Sequence, residues 1–136
     1  METGGESLIV AGDSAGANMS AACTLRARDR GGPRLALQVL VCPVVDRDMT
    51  TESYRERGSG PDVFLTAEDM EWFWGYYAPD PGSRSAPDAS PLRAEDLSGL
   101  PPAIVITAEP DRCGQRGGGT SRSRDPDAGG GVERAA

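Results

Sequence analysis

The chain has 136 residues and a net charge of −7, a length that suffices for one small domain with a core. The excess of acidic residues argues against nucleic acid or an anionic membrane as a partner. No apolar run approaches the ~20 residues that span a bilayer, and residues 1–6 lack the apolar stretch of a signal peptide, so we expect a cytoplasmic protein. Three widely spaced cysteines argue against a disulfide framework or a zinc site, and we expect no cofactor.

The first predicted element is a strand that leads through a tight turn into a helix. The apolar run at residues 8–11 is followed by the pentapeptide Gly12-Asp13-Ser14-Ala15-Gly16. Gly-x-Ser-x-Gly between a strand and a helix is typical of a nucleophile elbow, in which Ser14 presents its hydroxyl and the Ala15 amide faces a developing oxyanion. We expect Gly12 and Gly16 to leave room where strand and helix approach. An ordinary turn would also explain these residues, since Gly-Asp-Ser is a common turn sequence.

A helix and a second strand follow the turn. Residues 15–30 are rich in alanine and end at the Gly-Gly-Pro sequence of residues 31–33, which is typical of a helix end. Residues 35–42 form an almost continuous apolar run, which predicts a strand buried on both faces of a parallel sheet. Strand, helix and strand in this order predict one right-handed βαβ unit.

Residues 47–80 are predicted to form a polar excursion and then an aromatic helix near the pocket. Thr66 is the expected N-cap, and acidic residues follow it in the first turn. The helix carries five of the seven aromatic residues, namely Trp72, Phe73, Trp74, Tyr76 and Tyr77. We interpret it as an aromatic helix of the core, although a helix that roofs a ligand pocket would explain the same residues.

A third predicted strand brings a carboxylate to the same edge of the sheet. The β-branched run at residues 103–108 predicts another buried parallel strand, and Asp111 follows its carboxyl end. Ligands and catalytic groups of open α/β sheets lie at the carboxyl ends of the strands, so Asp111 is a candidate for orienting a catalytic base. As an ordinary turn residue, Asp111 would have no such role.

The composition changes abruptly near the end of the chain. Residues 113–136 are rich in glycine and arginine and contain a single large apolar residue, Val132. Such a segment cannot bury a core, so we predict that it is disordered. The predicted organisation is therefore one partial α/β domain over residues 1–112, followed by this tail.

The chain contains no histidine. Acyl transfer by a serine ordinarily requires an imidazole, which takes the serine proton and returns it to the leaving group. Without such a base, the hydroxyl of Ser14 is a weak nucleophile near neutral pH.

Taken together, these residues resemble the hormone-sensitive-lipase-like branch of the α/β-hydrolases, a group of carboxylesterases and lipases. The resemblance covers about residues 7–111, in order and at the spacing of that family. The matching segments are Ala-Gly-Asp-Ser-Ala-Gly-Ala-Asn (11–18), Val-Leu-Val-Cys-Pro-Val-Val-Asp (39–46), Phe-Leu-Thr (64–66), Trp-Phe-Trp (72–74) with Tyr77, Ser-Pro-Leu (90–92), Asp-Leu-Ser-Gly-Leu-Pro-Pro-Ala (96–103) and Ile-Val-Ile-Thr-Ala-Glu (104–109).

The resemblance implies a fold, an activity and roles for individual residues. The implied fold is part of a doubly wound, mostly parallel α/β-hydrolase sheet. Ser14 would be the nucleophile, the Ala15 amide one oxyanion donor and Asp111 the acid of the catalytic triad. The family's upstream His-Gly-Gly-Gly loop and its strands before the elbow are absent from the chain, as is the histidine expected beyond Asp111.

A shift of reading frame would account for the departure after Asp111. Residues 112–117 can be encoded as CGG TGC GGG CAG AGG GGG, and one additional C before them yields Pro-Val-Arg-Ala-Glu-Gly, which is the family's continuation. We therefore interpret the chain as a C-terminal-half fragment of a hydrolase gene with a frameshift, rather than as a hydrolase with a specialised tail.

These observations predict a carboxylic ester hydrolase by family, an esterase or lipase that acts on a small-molecule ester through an acyl-serine intermediate. The chain as written is expected to be catalytically incomplete. The alternatives are a non-catalytic, ligand-binding relative, as occurs among receptors of this broad family, and a gene fragment without function. The sequence indicates no oligomeric state.

Overall fold

The computed structural model describes residues 7–51, 54–55, 64–108, 121–123 and 130–135. Within these residues, five strands form one sheet, the complete helical elements are two α-helices and two short 3₁₀ turns, and Tyr54 and Arg55 are also helical. The strands are β1 (Leu8–Asp13), β2 (Leu35–Val41), β3 (Ala103–Ala108), β4 (Ser121–Ser123) and β5 (Gly130–Ala135). The helices are α1 (Ala15–Asp29) and α2 (Ala67–Tyr77), and the 3₁₀ turns are Ser83–Ser85 and Pro91–Arg93.

The predicted βαβ unit is confirmed. β1 pairs in parallel with β2, and β2 pairs in parallel with β3, so the carboxyl ends of all three strands lie at one edge of the sheet. The helix between β1 and β2 ends just before Gly31, which adopts a left-handed backbone conformation with φ 63°. The N–H of Gly32 donates to the carbonyl of Ala27 and so caps the last turn of the helix. α1, β2 and β3 begin and end within one residue of their predicted bounds, whereas β1 runs two residues past the predicted apolar run of residues 8–11.

Helix α1 covers one face of the sheet through small side chains. Ala17, Ala21 and Leu40 form a buried cluster against which Val105 packs. Small residues allow the helix and the strands to approach closely, which explains why this helix is rich in alanine.

The prediction that β2 is buried on both faces is wrong for the described residues. Gln38 and Leu40 are buried on the side of α1, whereas Leu35, Leu37, Val39 and Val41 are only partly buried.

Helix α2 begins as predicted but buries few of its aromatic rings. The hydroxyl of Thr66 accepts from the N–H of Asp69, and the Asp69 carboxylate accepts from the N–H of Thr66, which together form a capping box. Trp74 packs in a buried cluster with Ala78 and Ala89. The other four rings are 44–73% exposed, so the interpretation of α2 as a core helix holds only for one face; these rings are Trp72, Phe73, Tyr76 and Tyr77.

Two antiparallel strands complete the described sheet, whose order is β1-β2-β3-β5-β4. β5 pairs with β3 from Ala103↔Ala135 to Ala108↔Gly130, and β4 pairs with the outer edge of β5. Both strands fall in the segment predicted to be disordered, and the remainder of residues 113–136 lies outside the described residues. In the described part of the chain, no helix is both long and apolar enough to cross a bilayer.

Candidate active site

The turn between β1 and α1 holds Ser14 in a strained backbone conformation. β1 ends at Asp13, α1 begins at Ala15, and Ser14 between them has φ 51° and ψ −112°. A positive φ is uncommon for a residue with a Cβ and persists only where the surrounding structure imposes it. Here the N–H of Ser14 donates to the carbonyl of Val41 at 2.8 Å. This hydrogen bond ties the turn to the carboxyl end of β2.

Only one of the two glycines in the pentapeptide is required for steric reasons. A Cβ on Gly12 would lie 2.2 Å from both the carbonyl carbon and the oxygen of Gly16, and 2.7 Å from the nitrogen of Ala17. Strand and helix therefore pass so closely that Gly12 admits no side chain. A Cβ on Gly16 would meet nothing within 4 Å, so the expectation that Gly16 must be small for the same reason is wrong.

The first turn of α1 leaves hydrogen-bond donors beside the Ser14 hydroxyl. The first helical hydrogen bonds run from the N–H groups of Ala17 and Asn18 to the carbonyl of Ser14, each at 3.1 Å. The amides of Ala15 and Gly16 precede those donors, and helix geometry leaves such amides for an acceptor outside the helix. The Ser14 side chain makes no capping hydrogen bond, and no acidic residue lies in this first turn. The positive end of the helix dipole therefore faces the region beside Ser14.

Asn18, one helical turn after Ser14, holds the neighbouring loops in place. Its side chain is buried and donates to the carbonyls of Val44, at 2.5 Å, and Ala89, at 2.7 Å. Its Oδ1 accepts a hydrogen bond from the hydroxyl of Tyr77 at 3.0 Å. Three segments thus meet at one amide, and they are the loop after β2, the end of α2 and the loop before Pro91. No local sequence pattern indicates a structural role for this polar residue, which lies on the inner face of α1.

An ion pair borders the Tyr77 hydroxyl. Arg26 contacts Asp88 through two hydrogen bonds, of 2.7 and 2.6 Å, and the backbone carbonyl oxygen of Asp88 lies 3.3 Å from the Tyr77 hydroxyl as a second, more distant acceptor for its one hydrogen. Burial, with the Asp88 carboxylate as a smaller contribution, raises the pKa of Tyr77 above its ordinary value. The hydrogen bond from Arg26 lowers the pKa of Asp88. At neutral pH the tyrosine is therefore protonated and able to donate to Asn18.

Five of the six predicted site residues lie in the part of the chain that the structure describes, and Asp111 does not. It brings Gly12, Asp13, Ser14, Ala15 and Gly16 into the strand, turn and helix arrangement of an elbow. Asp111 lies outside the described residues, although β3 ends at Ala108 on the same sheet edge as Ser14. Among the described side chains, no group of three or more His, Cys, Asp or Glu could hold a metal ion.

The chain is similar in sequence to known hydrolases. A family model described as alpha/beta hydrolase fold matches residues 2–125. The chain is 38% identical to a carboxylesterase, NlhH, of Mycobacterium tuberculosis over 115 residues, covering 81% of this chain and 35% of that protein. It is 37% identical to an ethyl acetate hydrolase of Pseudomonas putida over 113 residues, which are 81% of this chain and 34% of that one.

Solved structures show the same likeness in three dimensions. A thermostable esterase of Pseudomonas putida superimposes with a TM-score of 0.70 at 48% identity, over 75% of this chain and 32% of the esterase. A hyperthermophilic esterase of the archaeon Pyrobaculum calidifontis gives a TM-score of 0.69 at 47% identity, over 74% of this chain and 33% of that one. The chain thus spans about a third of the length of each of these relatives.

Proposed function

Because the chain belongs to the alpha/beta hydrolase fold family, we propose that it carries the nucleophile elbow of a carboxylic ester hydrolase, with Ser14 as the attacking residue. Ser14 would attack the carbonyl of a small ester and form an acyl-serine, while the amide of Ala15 stabilises the oxyanion. Asp111 would orient the imidazole that takes the serine proton. Since the 136 residues contain no histidine, that imidazole has to come from outside them.

The conformation of Ser14 is the observation that carries this proposal. A non-glycine residue with φ 51° is held in place by the close passage of Gly12 against Gly16 and by the hydrogen bond to Val41. Strain of this kind concentrates at functional sites, whereas an ordinary turn would place glycine or asparagine at a positive φ. The uncapped hydroxyl and the free helical amides beside it provide the two groups that acyl transfer needs at this point.

A chimera tests whether this elbow is competent. Residues 7–108 would replace the matching segment of the ethyl acetate hydrolase of Pseudomonas putida, which would then supply the rest of the fold. We expect the chimera to hydrolyse a short-chain 4-nitrophenyl ester and Ser14→Ala to reduce kcat by at least about a thousandfold. Ser85→Ala, at a serine in the first 3₁₀ turn, is the matched control and should leave kcat unchanged. A folded chimera whose hydrolysis survives Ser14→Ala would contradict the assignment.

The chain alone gives a separate expectation. Because no residue of the 136 can supply an imidazole, purified protein should hydrolyse the same ester no faster than its Ser14→Ala variant. Saturable hydrolysis that depends on Ser14 would contradict this expectation, because it would show that a group other than histidine acts as the general base.

The absence of histidine also favours a second candidate, a relative that binds a ligand and performs no chemistry. That function requires cooperative thermal unfolding whose midpoint rises when an ester or its carboxylate product is added. A midpoint that no such compound moves would exclude it.

A further inference from the structure

Asn18 lies in the first turn of α1, and its side chain bonds outward from that turn. Its backbone N–H donates to the carbonyl of Ser14 at 3.1 Å, so it belongs to the helical turn that begins at the elbow. Its side chain is only 3% exposed, and the amide bonds the carbonyls of Val44 and Ala89 and the hydroxyl of Tyr77. Asn18 therefore joins the turn that carries Ser14 to segments from elsewhere in the chain.

The loops that Asn18 bonds are also fastened to each other. The N–H of Leu92 donates to the carbonyl of Val45 at 3.0 Å. A second bond, also of 3.0 Å, runs from a backbone N–H of the loop after β2 to the hydroxyl of Ser90, a residue that is fully buried. We call the two connected segments the paired loops, and they are residues 44–47 and 89–93. The amide of Asn18 donates to one carbonyl in each of them.

The elbow is attached to the end of β2 and to the loop after it at two points. The N–H of Ser14 donates to the carbonyl of Val41 at 2.8 Å, and the carbonyl of Val44 accepts from Asn18 at 2.5 Å. The stretch from Val41 to Val44 is therefore bound at both ends to the first turn of α1. One attachment would let this turn rotate about it, whereas two attachments fix its orientation. The amide of Ala15 belongs to the same turn, and an oxyanion donor acts only when it lies at hydrogen-bond distance from the developing charge.

We propose that Asn18 is a positioning residue for acyl transfer, because it anchors the first turn of α1 to the paired loops and so aligns the Ala15 amide with the Ser14 hydroxyl. The inference rests on the proposed role of Ser14, and it adds a buried side chain that acts through the elbow. The Ala15 amide acts on the charge that develops in the transition state. Loss of the anchor should therefore lower kcat and leave KM unchanged.

The chimera that tests the elbow also tests this role. Asn18→Ala should lower its kcat about a hundredfold, because a small displacement of a catalytic group has an effect of this size. The acyl-enzyme burst counts the folded active sites, so that kcat is not lowered by unfolded molecules. Leu25→Ala is the control matched for stability, since Leu25 is buried on the same helix about 16 Å along its axis from Ser14. It should destabilise the chimera to a similar extent and leave kcat unchanged.

The full chain gives a second readout that does not depend on catalysis. Hydrogen exchange of the Ser14 amide, followed by NMR, reports on its bond to Val41. Asn18→Ala should speed this exchange about tenfold more than Leu25→Ala does, because the anchor is local to the first turn of α1.

A milder variant keeps the proposal testable should Asn18→Ala fail to fold. Tyr77→Phe removes only the hydroxyl that bonds the Asn18 Oδ1, and kcat should then fall about fivefold, as expected for one neutral hydrogen bond. The proposal is overturned if the folded variants retain full kcat, if KM rises while kcat stays, if Leu25→Ala lowers kcat equally, or if both alanine variants speed the Ser14 exchange alike. Hydrolysis that survives Ser14→Ala in the chimera would instead reject the proposed function.

Discussion

At the scale of single residues, the elbow depends on one close passage between two stretches of backbone. Gly12 lies so near Gly16 that a methyl group at position 12 would overlap the carbonyl group of residue 16. Position 16 itself faces open space. Two glycines that look equivalent in the pentapeptide thus have unequal structural roles, and substitution with alanine separates them.

Gly12→Ala should lower the free energy of unfolding by about 3 kcal/mol, because backbone atoms on both sides of the elbow must move apart. Gly16→Ala should be neutral or raise it by up to about 1 kcal/mol, since alanine is the better helix former and meets no neighbour. Urea unfolding followed by circular dichroism measures both changes. Equal losses from the two substitutions would contradict the close passage.

At the scale of elements, Asn18 links helix α1 to segments that are distant in sequence. Its contacts with Val44 and Ala89 span 26 and 71 positions, and Tyr77 adds the end of α2. A buried amide that satisfies two backbone carbonyls and one hydroxyl is costly to remove, because its partners are left without hydrogen bonds in the interior.

Asn18→Ala should therefore lower the free energy of unfolding by about 2–4 kcal/mol, and Tyr77→Phe by about 1 kcal/mol. The double variant should lose less than the sum of both, because the Tyr77 hydroxyl has lost its main partner once Asn18 is gone. Tyr76→Phe, at a ring that is 73% exposed, serves as the matched control and should change little. Additive losses in the double-mutant cycle would show that the two side chains are not coupled.

These elements also show what could be read from the sequence. The three parallel strands, α1 and the turn between β1 and α1 were predicted because apolar runs, caps and a five-residue turn pattern are local signals, whereas β4 and β5 were not predicted. Asn18 was missed because its partners are brought together only by the tertiary fold. The half-buried face of β2 was missed because an apolar run does not show whether other elements of the fold cover both faces of the strand. The role of Asp111 stays a prediction, since it lies outside the described residues.

At the scale of the whole molecule, apolar surface is concentrated at one edge of the sheet and on one helix. Among the described strands, β1 forms one edge of the sheet and β4 forms the other. On β1, Leu8 and Ile9 are 45% and 60% exposed. On α2, the rings of Trp72 and Tyr76 lie 4.7 Å apart at the surface. An exposed strand edge with apolar side chains is prone to pair with another chain.

Ile9→Lys should therefore reduce self-association of the purified chain, because a charge at an open strand edge opposes pairing with a second copy. Size-exclusion chromatography with light scattering, over a series of protein concentrations, measures the average mass of both forms. Arg30→Lys, at the exposed end of α1, adds no charge and should behave as the unmodified chain does. A mass that is the same for the Ile9 variant and the unmodified chain at every concentration would rule out this edge as the site of association.

The parallel pairing of β2 with β3 has a consequence for the order in which the molecule forms. Val10 meets Gln38 across a single intervening helix, whereas Leu40 meets Val105 only after the loop, α2 and both 3₁₀ turns have been traversed. Closing the shorter connection loses less chain entropy, so we expect β1, α1 and β2 to associate first. On a ribosome, the Ser14 elbow and its hydrogen bond to Val41 could then take shape while the residues of β3 are still being synthesised.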